Sequence, residues 1–420
     1  MNLAKSLSIY TIASLLNASI PFLLLPILTA YLTTEEYGLL SIIQIFIIFT
    51  LPFISINISS KLQIEYHHLD KSEFAILVNS VLIIPIMTIL LAMTIFILLE
   101  SYINSFLNIS LAWMLLIPLI SFMQVLPQVV LTIYQISEQP IKYAKFQILL
   151  TLLNFIITII LVIVINLKWE GRIIAILLSY SIFTMIGIYL LFKMKYIVFK
   201  IRKKYIKEAL KLGLPLIIHV ISATLFIMSD RLFVAYYLGS SEVGVYTVGL
   251  QVGMIAMIVQ QSFNQTWVPY LFKNLKTNLY ENKVKIIKIS YLAFGLFLIL
   301  PFIIELLSYP IFYYLIDEKF SESIQYVFWV ALGYSFLGMY KVVTNYIFYK
   351  KRTKLLARLT LFSLMVNLIL NYVFIHSFGA IGVAYATAIT IFLFFILTFI
   401  LSQKIYPMPW LYFKDKNVIK

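Results

Sequence analysis

The sequence predicts an all-α polytopic membrane protein: twelve transmembrane helices in two parallel six-helix repeats. Three observations predict it. First, hydrophobic residues make up 62% of the 420 and charged residues only 12%. A soluble chain carries about 25% charged residues, so there are too few here to cover a water-facing surface. Second, twelve stretches approach the ~20 apolar residues that cross a hydrocarbon core. Third, one phrase is written twice. Tyr31-Leu32-Thr33-Thr34-Glu35-Glu36-Tyr37-Gly38 returns as Tyr237-Leu238-Gly239-Ser240-Ser241-Glu242-Val243-Gly244, with Tyr, Leu, Glu and Gly matching at a constant offset of 206.

The predicted spans of the first half are roughly 7–31, 39–60, 75–98, 112–134, 145–166 and 172–193. Those of the second are 212–238, 244–264, 289–309, 326–348, 357–376 and 380–402. The apolar stretch 308–316 either extends the ninth helix or lies in the interface. The run after Lys5 is too long for a secretory signal and no A-x-A site follows it, so it reads as the first transmembrane helix. Five Trp and twenty-nine Tyr suit interfacial aromatic belts. Cysteine is absent, which excludes disulfides and thiol-based metal or redox chemistry. No metal site and no cofactor are expected.

Charge placement sets the orientation. With both termini cytoplasmic, 27 of the 32 Lys and Arg fall on the cytoplasmic side and three on the other, namely Lys168, Arg172 and Lys319. Arg231 and Lys341 fall inside helices. The net charge of +15 is therefore positive-inside bias rather than a nucleic-acid patch. The longest loop divides the chain into an N-terminal bundle (1–194), a basic linker (195–211) and a C-terminal bundle (212–420). Lys-Tyr-Ile-Lys-Glu-Ala-Leu-Lys within the linker reads as a short amphipathic helix on the anionic inner leaflet.

A second repetition supports the first. Ala144-Lys145 leads to Asn154, and Ala357-Arg358 leads to Asn367, both at an offset of 213; Gly171 and Gly382 differ by 211. Parallel repeats follow, because six crossings return the chain to its starting side. In membranes, two homologous halves around a pseudo-symmetry axis are the mark of transport proteins.

Ionisable groups inside a bilayer cost ~2.5–3.5 kcal/mol each on insertion scales and tend to be functional. Five are candidates: His219, Asp230, Arg231, Glu305 and Lys341. His219 and Asp230 are eleven residues apart and share one helix face with Ser222 and Phe226. They are candidates for ion coupling; the plainer reading is local neutralisation of Asp230 and a packing hydrogen bond for His219. Arg231, suited to bidentate binding of phosphate, and Lys341 are candidates for substrate binding, unless Lys341 snorkels to the surface. Glu305 reads as interfacial. The amides Gln251, Gln260 and Asn264 of the eighth helix and Asn57 of the second are candidates for sugar hydroxyls, against interhelical hydrogen bonding. Gln44, Gln261 and Gln265 belong to the same set. Gly249-x-x-x-Gly253 reads as close helix packing, and Pro21, Pro26, Pro52, Pro118 and Pro127 as permitted kinks.

The stretch from Pro21 through Pro26 to Gly38 resembles the opening of Wzx-type polysaccharide flippases. Further similarities are Ser229-Asp230-Arg231, Gln265-Thr266-Trp267-Val268-Pro269-Tyr270, and Phe378-Gly379-Ala380-Ile381-Gly382-Val383-Ala384-Tyr385. The pieces span nearly the whole chain and point to the multidrug/oligosaccharidyl-lipid/polysaccharide exporter superfamily. The resemblance implies two bundles in a V with alternating access, in a bacterial cytoplasmic membrane. It implies export of an undecaprenyl-pyrophosphate-linked glycan unit by a monomer, with a polysaccharide polymerase and a chain-length regulator as candidate partners. Lys168-Trp169-Glu170-Gly171-Arg172 departs from the expected small, Gly-rich turn. Two other functions compete. A drug/cation antiporter of the superfamily would favour an acidic cavity. A membrane polymerase would need a large extramembrane loop with paired catalytic groups, and no predicted loop exceeds about twenty residues, so enzyme chemistry is not expected.

Overall fold

The computed structural model describes residues 3–277 and 279–411, and the regular structure among them is helical. The first half contains α1 (Leu3–Tyr31), α2 (Thr34–Ser55), α3 (Lys71–Leu98), α4 (Leu111–Ile136), α5 (Pro140–Ile159) and α6 (Lys168–Lys193). The second contains α7 (Lys203–Leu238), α8 (Ser240–Gly253, resumed as Ile255–Lys276), α9 (Tyr280–Leu315), α10 (Ile324–Tyr349), α11 (Thr353–Phe378) and α12 (Ala380–Ile405). Eleven of these are long and apolar enough to cross a membrane; in α1 the described apolar part is Ser19–Tyr31. Their outer faces carry bare apolar side chains such as Leu292 and Leu306, 75% and 71% exposed. Water would penalise so extended an apolar surface, whereas lipid matches it.

Several helices run past their expected bounds, and the second stops short of its own. The second helix stops at Ser55 because Ile56 and Asn57 turn left-handed (φ 44° and 51°), and a separate helix, Ile58–Glu65, follows. The stretch 308–316 extends α9, which runs to Leu315.

The chain divides into two compact units. One comprises Met1–Met228 with Gly239–Gly244, the other Ser229–Leu238 with Val245–Lys420. In the first unit α4 is the hub, packing against α2, α3 and α6, while α5 packs against α1 and α6. In the second, α10 is the hub, packing against the latter part of α8, α9 and α12, while α11 packs against α12. Four helix pairs of the first half thus recur six helices later, which is the repeat expected from the sequence.

Glycines set the closest approaches. A Cβ on Gly249 would lie 2.3 Å from the Ser323 carbonyl oxygen, and one on Gly253 2.7 Å from Val330, so this pair lets α8 press onto α10 as expected. In the first unit, the repeated phrase folds against its own copy. A Cβ on Gly38 would lie 1.7 Å from the Ser240 carbonyl oxygen, and one on Gly244 1.9 Å from that of Thr34. The Thr34 and Ser241 hydroxyls hydrogen-bond at 2.8 Å across the same crossing. A capping box between Thr33 and Glu36 fixes the start of α2.

The basic stretch between α6 and α7 is strapped to the first unit. Arg202 pairs with Glu73 at 2.6 Å, and Tyr205 donates to the same carboxylate at 2.9 Å. Asn79 donates to the Tyr196 carbonyl at 2.6 Å. Lys61 bridges Glu65 and Glu208, 2.8 Å from each. Burial pulls the Lys61 ammonium down, but the two carboxylates outweigh it and hold its pKa above the ordinary lysine value. The expected amphipathic helix is not a separate element: its residues form the first turns of α7. The Lys204 side chain there is 77% exposed, and Lys207 is exposed as well.

Candidate functional site

Of the polar groups expected on α7, Asp230 and Arg231 belong to the second unit, while His219 and Ser222 belong to the first. Asp230 is 4% exposed. One of its oxygens, Oδ1, accepts from the Arg231 backbone N–H at 2.7 Å, and the other from the Tyr246 hydroxyl at 2.9 Å. The Arg231 Nε lies 3.9 Å from Oδ1, buried and without a hydrogen-bond partner among the described residues. Asp230 is therefore matched by its neighbour along the chain, with the α8 tyrosine holding the second oxygen. Beside it, Ser229 donates to Asn367 Oδ1 at 2.9 Å, and Asn371 donates to the same atom at 3.1 Å. The Asn367 amide in turn reaches Thr387 of α12 at 3.5 Å. These residues sit one turn apart on α11 and cross to α7 and α12, which is why a helix with few charges still carries two fully buried amides.

A second group lies on α8 and α10. Asn345 donates to Asn264 at 3.2 Å and to the Lys341 carbonyl at 2.6 Å. Lys341 is partly buried and its ammonium has no acidic partner among the described residues. Gln260 is buried, 1% exposed, with its Oε1 unpaired. Gln251 belongs to the first part of α8. Asn57 sits in the first unit at the left-handed break rather than in the second helix, with its Nδ2 buried and unpaired. The His219 side chain lies outside the described residues.

Arg172 was expected at the outer end of the sixth span; the structure places it in the first turns of α6 with its side chain turned inward. Its Nη1 donates to Asn154 Oδ1 at 2.6 Å and to Thr158 Oγ1 at 2.8 Å. The segment before it reads as loop because Trp169, Glu170 and Gly171 look like a turn. α5 instead continues through a π-helical segment, Ile160–Val164, and the chain reverses at residues 165–167. Gly171 makes this possible, since a Cβ there would lie 3.0 Å from the Leu161 backbone. Arg172 then faces a cavity of about 280 Å³ in the first unit, lined by Asn17, Gln44, Gln124, Thr151, Asn154 and Tyr180 along with apolar residues. Gln44 was in the expected amide set; Arg172, Gln124 and Asn17 were not. The signal that could have found the site is the repeated asparagine, Asn154 and Asn367, since each anchors the polar cluster of its own unit.

Two six-helix repeats with polar groups buried inside membrane-spanning helices define a multi-span helical membrane fold. Solved structures of that kind are similar over almost the full chain. A multidrug resistance MATE family transporter of the MOP superfamily, inward-facing, gives a TM-score of 0.73 at 14% identity, covering 92% of this chain and 94% of its own. The lipid II flippase MurJ, in an inward closed conformation, gives 0.71 at 18% identity, covering 94% and 87%. These likenesses concern the fold. The chain belongs to the family described as "Polysaccharide biosynthesis protein", whose profile matches residues 3–275; the MatE profile also matches residues 215–373. A relative from Haemophilus influenzae (strain ATCC 51907 / DSM 11121 / KW20 / Rd), "Lsg locus putative protein 1", is 25% identical over 384 residues, 87% of this chain and 90% of the relative. An "Uncharacterized membrane protein" of the same organism is 27% identical over 380 residues, 88% and 89%.

Proposed function

We propose that the protein is a flippase that carries an undecaprenyl-pyrophosphate-linked oligosaccharide repeat unit from the inner to the outer leaflet of a bacterial cytoplasmic membrane. The observation that carries this reading is a pair of cations in the membrane-spanning helices of a polysaccharide biosynthesis family member: Arg231, whose Nε is buried without a hydrogen bond and 3.9 Å from Asp230, and Lys341, which has no acidic partner among the described residues. A pyrophosphate head group loses its water on entering ~30 Å of hydrocarbon, and an uncompensated buried charge costs several kcal/mol. A cation with no acidic partner among the described residues, and one whose guanidinium keeps an unused Nε donor, are suited to receive it, with Lys341 on the cytoplasmic side and Arg231 on the outer side. Gln251, Gln260, Asn264 and Asn57 then serve the sugar hydroxyls. Asp230 takes up and releases a proton or Na⁺ to drive alternating access of the halves 1–194 and 212–420, joined by the basic linker, with His219 as its helper. Both termini are cytoplasmic, and the exposed linker lysines meet anionic lipid.

The test is complementation of surface polysaccharide in a flippase-null strain, with membrane levels checked by blot. Arg231→Ala loses most export, Arg231→Lys recovers part of it, and Lys341→Ala is milder. Full complementation by Arg231→Ala at normal abundance removes Arg231 from the substrate path. Asp230→Asn abolishes gradient-driven flipping, and full activity in that variant makes Asp230 structural. A second reading, a drug/cation antiporter, is favoured by the MatE match. Reconstitution separates the two: the flippase moves a fluorescent lipid-linked glycan, and the antiporter expels a cationic dye.

A further inference from the structure

The cavity of the first unit holds a cation with no counter-charge among the described residues. The Arg172 guanidinium is held at Nη1 by two neutral oxygens, those of Asn154 and Thr158, and its Nε is buried without a partner. No carboxylate lines the cavity among the described residues. Leaving a buried ion without a counter-charge costs several kcal/mol, and neutral hydrogen bonds offset only part of that. An oxyanion that can face a guanidinium edge-on supplies what is missing.

The rest of the lining narrows the ligand. Asn17, Gln44 and Gln124 offer amides that both donate and accept, and Tyr180 adds an aromatic face with a hydroxyl. Amides and an aromatic ring around one cation match a hydroxylated ring bearing an acid better than a bare inorganic ion. The volume, about 280 Å³, sits at the lower end of the ~300–1,000 Å³ of ligand clefts, which suits a single ring rather than a whole repeat unit.

We propose that this cavity is a subsite for one acidic sugar residue, with its carboxylate or phosphate substituent on Arg172 and its hydroxyls on the surrounding amides. The proposal rests on the flippase reading and deepens it: the repeat unit this protein carries contains an acidic sugar.

The experiment is thermal unfolding of the purified full-length protein in nanodiscs, titrated with sodium glucuronate, glucose, inorganic phosphate or sodium chloride at matched ionic strength. Glucuronate raises the unfolding temperature saturably, whereas glucose and chloride do not. Arg172→Gln weakens the glucuronate response at least ~10-fold, as loss of a charge-assisted hydrogen bond requires, and Arg172→Lys keeps part of it. Gln124→Ala weakens it less. If Arg172→Gln lowers only the ligand-free unfolding temperature and leaves the titration unchanged, Arg172 is a helix clamp and the proposal falls. It falls equally if glucuronate gives no shift, or if phosphate alone does. Wild-type export of a neutral repeat unit without any glucuronate response leaves the flippase standing and removes the subsite; a glucuronate response without export does the reverse.

Discussion

The two repeats place an asparagine at equivalent points and surround it with opposite chemistry. Asn154 of α5 and Asn367 of α11 each accept a hydrogen bond at Oδ1 and turn their amide toward the sixth helix of their own half. In the first unit the donor is the Arg172 guanidinium, and no carboxylate lines the space around it. In the second the donors are neutral, Ser229 and Asn371, and the nearby charge is the Asp230–Arg231 pair. Duplication preserved the scaffold position and left the charge free to diverge. One unit is polarised toward an anion from outside, and the other carries its own counter-charge.

The largest effect expected from this contrast is at Asp230. Asp230→Ala strands Arg231 and the Tyr246 hydroxyl, and breaking a buried pair on one side costs ~3–5 kcal/mol. The double variant Asp230→Ala/Arg231→Ala recovers a good part. Denaturant unfolding in detergent measures both, and equal losses in single and double variants would erase the claim that the second unit is self-neutralised. Next, Gly38→Ala and Gly244→Ala each lose ~3 kcal/mol by overpacking. Gly295→Ala, with open space at its Cβ, gains up to ~1 kcal/mol of helix propensity. Unequal losses at Gly38 and Gly244 would show the two copies of the phrase bearing different loads. Smaller again, Asn154→Ala costs ~2 kcal/mol because it strips an acceptor from a charged group, and Asn367→Ala ~1 kcal/mol because its donors are neutral. The reverse order in thermal unfolding would contradict the assignment of charge to the first unit.

The smallest effect separates the linker from both clusters. The raised Lys61 pKa means that its bridge to Glu65 and Glu208 contributes fully below 10.5, the ordinary lysine value, and is lost only as pH rises through the higher folded value. Limited proteolysis of residues 194–202 therefore stays flat from pH 6 to 9 and accelerates only in strong alkali. Acceleration near neutrality would show that the strap depends on other groups.

Much of this was legible from sequence. Apolar runs gave the helices, and the recurring Tyr-Leu-Glu-Gly and asparagine offsets gave the repeat. Asp230 and Arg231 were visible because charges are conspicuous in an apolar helix, while Ser229 entered only through the family resemblance. Arg172 was hidden by its flanks: Lys168 and Glu170 make the segment look like solvent-exposed loop, and nothing in Ile160–Val164 announces a π-helical turn. Asn57 was misplaced because no proline or glycine marks the break at Ile56, a β-branched residue in a conformation that usually excludes it. Tyr246 gave no signal, since a lone tyrosine among twenty-nine carries no sign of its partner.

The crossing of Gly38 and Gly244 bears on how such a chain arose. Each glycine leans on the first turn that precedes the other, residue for residue, as in an isologous contact where i meets j and j meets i. In an ancestor with a single repeat, that contact would have joined two identical chains, and one codon change would have placed two methyl groups in the same crossing. After fusion the same change places only one. Duplication halved the penalty of each mutation at this point, yet it also doubled the number of codons that must remain glycine.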